Sequence, residues 1–156
     1  MYEDTDIIAA SLAVVRAINF DTWLSERERF APIVGPDFLG VVELAKLEAL
    51  LTGRAYGDIP LSDEIIPPEP TEAPTSEEDL PLGFATPVRR KLQDLLAALP
   101  PEKVPDVGRA WAAIEEFPSM PEREVTEWFL PFFHQFIELA RTAREEDLDL
   151  FVVSWD

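Results

Sequence analysis

The chain contains no cysteine, which excludes disulfides, cysteine-ligated zinc and thiol nucleophiles. It has one histidine, His134, so any imidazole-based acid–base mechanism would have to run through that side chain. Basic residues are scarce, 13 against 31 acidic ones, for a formal charge of −18 over 156 residues. A surface of that sign repels phosphate backbones and anionic lipid headgroups, which disfavours direct binding to nucleic acid or membrane. Long apolar runs are missing as well: the stretch 7–15 is about half of the ~20 residues a membrane-crossing helix needs. Glu3, Asp4 and Asp6 stand where a secretory leader would carry basic residues. Together these absences point to a cytoplasmic protein.

What is present suffices for a core. Apolar residues make up 47% of the chain, with 10 Phe and 4 Trp to anchor it, and the length suits one domain over residues 1–156. The run Ile7-Ile-Ala-Ala-Ser-Leu-Ala-Val-Val is too short and too continuously apolar for periodicity to separate a strand from a helix turn; we read it as a strand. Asn19 or Asp21 caps a short helix carrying Trp23 and Leu24 to about Arg29. Gly35-Pro36-Asp37 and Gly53 bracket a helix over 37–52, with Phe38, Val42, Ala45 and Ala49 along one stripe. A turn over 54–58 then leads to a short edge strand over 59–66.

Composition changes abruptly over 67–81, where five prolines and five acids (Glu69, Glu72, Glu77, Glu78, Asp79) occur with no base and no aromatic. Such a segment is expected to be a mobile, extended loop. Thr86-Pro87 resembles a cap and first-turn proline, and Val88, Leu92, Leu95, Leu96 and Leu99 continue as a helical stripe to Pro100. Arg89, Arg90 and Lys91 fall on the solvent side of this helix. A further helix over 105–116 buries Val107, Trp111 and Ile114. Val125, Trp128, Phe129, Phe132, Phe133, Phe136, Ile137 and Ala140 keep a three-and-four spacing over 119–144, and the aromatic series is expected in the core. Pro131 predicts a kink or break near residue 130, on the polar face with Glu127, His134 and Glu138. The closing run 148–155 reads as an interior strand. The fold class is therefore α+β, with about five helices and a small sheet that includes the N- and C-terminal strands.

Three segments together resemble the YfbM-like family of uncharacterised bacterial proteins: the opening run 7–15 with its short helix, Leu47-Glu-Ala-Leu-Leu-Thr-Gly53 followed by Pro60-Leu61, and the aromatic helix, turn and strand over 132–155. Phe84-Ala-Thr-Pro-Val88 is similar to the family's capped helix start. The acidic segment 67–81 stands where that family usually has a compact, glycine-bearing connection. The resemblance implies an α+β fold and carries over no catalytic residue.

No pattern in the chain assigns a catalytic residue, a cofactor or a metal. His134 lies one helical turn before Glu138, an ordinary surface arrangement. No Gly-x-Ser-x-Gly is present, and Gly53-Arg-Ala-Tyr-Gly57 lacks the Gly-Lys-Ser/Thr of a phosphate loop. Glu145, Glu146, Asp147 and Asp149 lack the alternation and central glycine of a calcium loop and read as a solvated turn. The leading expectation is an interaction protein whose acidic surface, including Glu69, Glu72, Glu77, Glu78 and Asp79, binds a basic protein partner in the manner of an immunity protein. The alternative is a small-ligand module or hydrolase-type enzyme using carboxylates in a pocket between the long C-terminal helix and the sheet. A third reading, DNA mimicry, needs acids in spaced rows.

Overall fold

The computed structural model describes residues 4–37, 39–61, 64–66 and 83–155. Four strands form one antiparallel sheet in the order β2-β1-β4-β3: β1 (Asp4–Ala10), β2 (Ile33–Val34), β3 (Gly83–Pro87) and β4 (Asp149–Trp155). The chain is α+β, and its N- and C-terminal strands pair at the centre of the sheet, with Ile7 opposite Val152 and Ile8 opposite Phe151. Successive side chains point to opposite faces, and here both faces are buried: Ile7, Leu150 and Val152 join one apolar cluster, Ile8, Phe151 and Val153 the other. Each cluster draws residues from before and after the 67–81 stretch.

Two-sided burial explains why the first run carries no alternation. Its strand ends at Ala10, five residues earlier than expected from the sequence, because Ser11 caps α1 (Leu12–Arg16), its hydroxyl accepting the Val14 N–H at 3.3 Å. The expected helix after Asn19 is a chain of short turns. Asn19 Oδ1 accepts the Asp21 N–H at 3.1 Å, 3₁₀ turns occupy Phe20–Thr22 and Arg27–Phe30, and α2 (Trp23–Glu26) lies between them. Ala31 closes the segment in the left-handed region with φ 47°. This stretch covers one sheet face with Val15, Ile18, Phe20 and Trp23.

The other face is covered by longer helices. α3 (Val41–Thr52) begins four residues later than expected, because the Pro36 carbonyl is taken by the Leu39 N–H and by the Thr5 hydroxyl, which holds 36–39 in a turn. Glu43 reaches back to the Gly40 N–H at 3.0 Å, and Gly53 ends the helix at φ 69° as predicted. The buried face also rotates: Leu44, Ala45, Leu47 and Glu48 point inward while Val42 and Ala49 are half-buried, and Phe38 lies outside the described residues. Among the described residues of the expected edge strand 59–66, Ile66 alone makes a bridge, to Ala85.

The largest correction falls at Thr86-Pro87. These residues belong to β3, paired with Val152 and Phe151 of β4, and α4 starts only at Arg90 (Arg90–Ala98). Pro87 has no N–H to offer a ladder, but the Val88 N–H donates to the Leu150 carbonyl at 2.8 Å and keeps the chain on the sheet past it. Strand pairing thus overrides a local helix-start signal. The fully buried Gln93 then bonds β4 directly, donating to the Leu148 carbonyl (2.8 Å) and accepting the Leu150 N–H (3.3 Å).

α5 (Val104–Ala112) ends four residues before the expected boundary. Its Gly108 sits in close contact: a Cβ there would lie 2.5 Å from Leu130 Cδ2 and 3.0 Å from Phe133 Cδ2, so those side chains would have to shift. Trp111 is fully buried, donates to the Glu43 carbonyl at 2.9 Å and touches the rings of Phe117, Phe129, Phe132, Phe133 and Phe136 at centroid distances of 5.4–6.2 Å. After α6 (Glu122–Glu124) the chain makes a π turn over Val125–Phe129 and continues as α7 (Leu130–Glu145). Here Pro131 is answered by a change of winding: the Leu130 N–H reaches the Val125 carbonyl, one residue beyond α-helical register. The wider turn moves carbonyls away from a ring that can neither donate nor tolerate a close oxygen. Pro131, His134 and Glu138 lie on the exposed face, as expected. No helix among the described residues is long and apolar enough to cross a membrane.

Candidate functional site

The segment expected to bind a partner, with Glu69, Glu72, Glu77, Glu78 and Asp79, lies outside the described residues. Elsewhere, most basic side chains are held by acids of the chain itself. Arg89, expected on the solvent side, pairs with the buried Glu48, and Arg90 bonds Asp149 at 2.7 Å and approaches Asp147 at 3.9 Å. The only three-residue basic run is therefore largely committed internally. Arg109 pairs with Glu122, Arg123 with Glu127 and Arg141 with Glu138. The last pair leaves His134 an exposed residue on the polar face of α7.

Two buried carboxylates occupy different layers. Asp6, 1% exposed, accepts from Trp23 Nε1 at 2.8 Å and from Arg27 Nε and Nη2 at 2.9 and 2.5 Å. The Asp6 hydrogen bond pushes the Arg27 pKa up, and the guanidinium lies over the Trp155 ring at 5.3 Å. Glu48, 3% exposed, sits on α3 against Arg89. Both acids have fixed cationic partners, an arrangement suited to structure rather than to proton transfer. Where α7 meets the sheet, Ile7, Val152, Phe136, Ile137 and Ala140 form one apolar cluster. Among the described residues no group of three or more His, Asp or Glu could hold a metal ion.

An open concavity rich in charge lies elsewhere, between the 113–121 connection and the π turn. It is a groove of about 670 Å³ whose apolar lining is Pro36, Phe117, Pro118, Met120 and Trp128. Asp37, Glu115, Glu116 and Glu124 add four carboxylates. A second depression of about 580 Å³ shares Glu115, Phe117, Pro118 and Met120 with it, so both flank the same connection.

Each part of the groove has a local cause. Trp128 was expected in the core with the other aromatics, but the π turn carries it outward: it is 41% exposed while Phe129 is fully buried. One face of its indole stacks on Phe132, at 6.2 Å and 14° between planes. Glu116 is held by Lys46, which also reaches Glu115 at 3.4 Å and lies over the Tyr56 ring at 5.4 Å. The Lys46 hydrogen bond lowers the Glu116 pKa from its ordinary 4.5, and the same bond raises the Lys46 pKa from 10.5. The second Glu116 oxygen, Oε2, is buried and forms no hydrogen bond with another described residue. Asp37 and Glu124 are exposed, and among the described residues neither is in an ion pair.

This groove was not anticipated from the sequence. Its acids come from three separate segments, and its aromatic wall depends on a winding change that helical spacing conceals. Pro131 marked the place but not the consequence. An aromatic face bordered by carboxylates suits a cation with a flat or apolar stem. Searches against family models, curated proteins and solved structures found no match for this chain.

Proposed function

We propose that this chain is a small acidic interaction protein that binds a basic protein partner, acting in the cytoplasm as one domain, with toxin neutralisation of the immunity-protein kind as a concrete form. The carrying observation is the groove beside Trp128, where Asp37, Glu115, Glu116 and Glu124 border an apolar lining. Its setting strengthens the reading: the net charge is −18 and most cations are already paired internally. Such a field speeds encounter with a positively charged surface and weakens as salt is added. The acids of 67–81 extend the same sign of charge, and the YfbM-like resemblance of the opening, middle and closing segments belongs to the same proposal.

The test is binding to a panel of purified basic proteins, with neutral and acidic proteins as controls, over a range of ionic strengths. Binding confined to basic members, with an association rate that falls steeply as salt rises, is the expected result. An absence of binders at low salt, or affinity indifferent to salt, overturns it.

A further inference from the structure

We infer that the groove beside Trp128 takes an arginine side chain of the partner in preference to a lysine. This rests on the basic-partner reading and specifies its chemistry. Three features favour a guanidinium. Trp128 is the large aromatic face left open on the described surface of this region, backed by Phe132 so that the ring is held in place. A planar cation can stack on an indole face and still direct its N–H groups sideways, which a compact ammonium cannot do. Glu116 lines the groove, and its buried Oε2 forms no hydrogen bond with another described residue; Glu124 and Asp37 line the same groove, and among the described residues neither is in an ion pair. A fork of donors can serve two such oxygens at once.

The chain already builds this arrangement once in its interior. Arg27 lies over the Trp155 ring at 5.3 Å while its Nε and Nη2 donate to Asp6. The groove offers the same two parts, an indole face and carboxylate oxygens, without the guanidinium. The neighbouring ammonium site is occupied, since Lys46 holds Glu116 through its other oxygen.

The experiment uses the full chain and two unstructured peptides of equal length and charge, one with arginine and one with lysine at every basic position. Binding is read by titration calorimetry and by the Trp128 indole N–H resonance. The arginine peptide is expected to bind about tenfold more tightly, the scale of one stacked cation, and to shift that resonance. Trp128→Ala is expected to remove the preference while leaving a weak, salt-dependent affinity for both peptides, and Glu124→Gln to reduce arginine binding several-fold. Thermal melting of each variant confirms that it folds. Equal, salt-dependent binding of both peptides with an unmoved Trp128 signal overturns the arginine preference and leaves the basic-partner reading standing. Binding of neither peptide at low salt overturns both.

Discussion

The two faces of the sheet are buried by different means. Towards α3, α4, α5 and α7 the cover is a large aromatic cluster centred on Trp111, fully buried and in contact with five phenylalanine rings. Towards the 12–30 segment the apolar cluster is smaller, and Trp23 and Arg27 are tied to the sheet through the Asp6 carboxylate. Long helices bring enough apolar area to hold themselves down. Short turns do not, and a directional polar bond fixes where they lie, at the cost of desolvating a carboxylate.

The helix-covered side should be the more sensitive to loss of volume. Trp111→Ala removes the central ring and the bond to the Glu43 carbonyl, and is expected to cost about 3–5 kcal/mol, read by chemical denaturation. An effect below that of a surface substitution would contradict the account of this core. On the opposite side the sensitivity should be to charge. Arg27→Met leaves Asp6 buried with the Trp23 indole as its remaining donor. Breaking a fully buried pair costs ~3–5 kcal/mol, and because the Arg27 side chain is 23% exposed we expect roughly 2 kcal/mol here. The double variant Asp6→Leu/Arg27→Met should recover much of that loss; if it is no more stable than Arg27→Met, the polar bond is not what makes that face vulnerable.

The smallest effect sharpens the comparison at the rim of the helix side. Glu116 is depressed by Lys46, so its contribution is present above the ordinary carboxylate range and fades as pH falls through the lowered value. Lys46 is raised by Glu116, so its contribution is present below the ordinary lysine range and fades as pH rises through the raised value. Lys46→Met should therefore lower the melting temperature slightly at neutral pH and make its decline into acid shallower. An unchanged acid limb would show that the pair does not couple to folding.

Much of the architecture was legible in the residues. The terminal strand over 148–155 is interior as read, Gly53 stops α3, Asn19 caps the turn after it, and Phe129, Phe132, Phe133 and Phe136 are buried. Local chemistry, namely capping, left-handed glycine and apolar spacing, sets these features within a few residues of chain. The misplaced elements share a different cause. Thr86-Pro87 carries a helix-start signal, but pairing with Val152 and Phe151 is a contact across more than sixty positions, and it prevails as tertiary context does over propensity. Arg89 has the spacing of a surface residue, yet it faces Glu48 of another helix.

The candidate groove shows the same limit more sharply. Glu115 and Glu116 follow α5, Asp37 precedes α3 and Glu124 belongs to α6, and nothing along the chain links them. Trp128 reads as core by its spacing because that spacing assumes α-helical winding, while the π turn shifts the register by one residue and leaves the indole exposed.

Composition and local patterning alone determined the α+β class, the central place of the closing strand, the sign of the surface and the exclusion of cysteine chemistry, because each follows from side-chain type or from neighbours a few residues apart. Tertiary structure alone decided that Thr86-Pro87 is strand, that Arg89 and Arg90 of the basic run pair with acids of the same chain, and that four carboxylates meet an exposed indole. Those outcomes depend on which distant segments come into contact, and contact energies of that range leave no periodic trace in the chain.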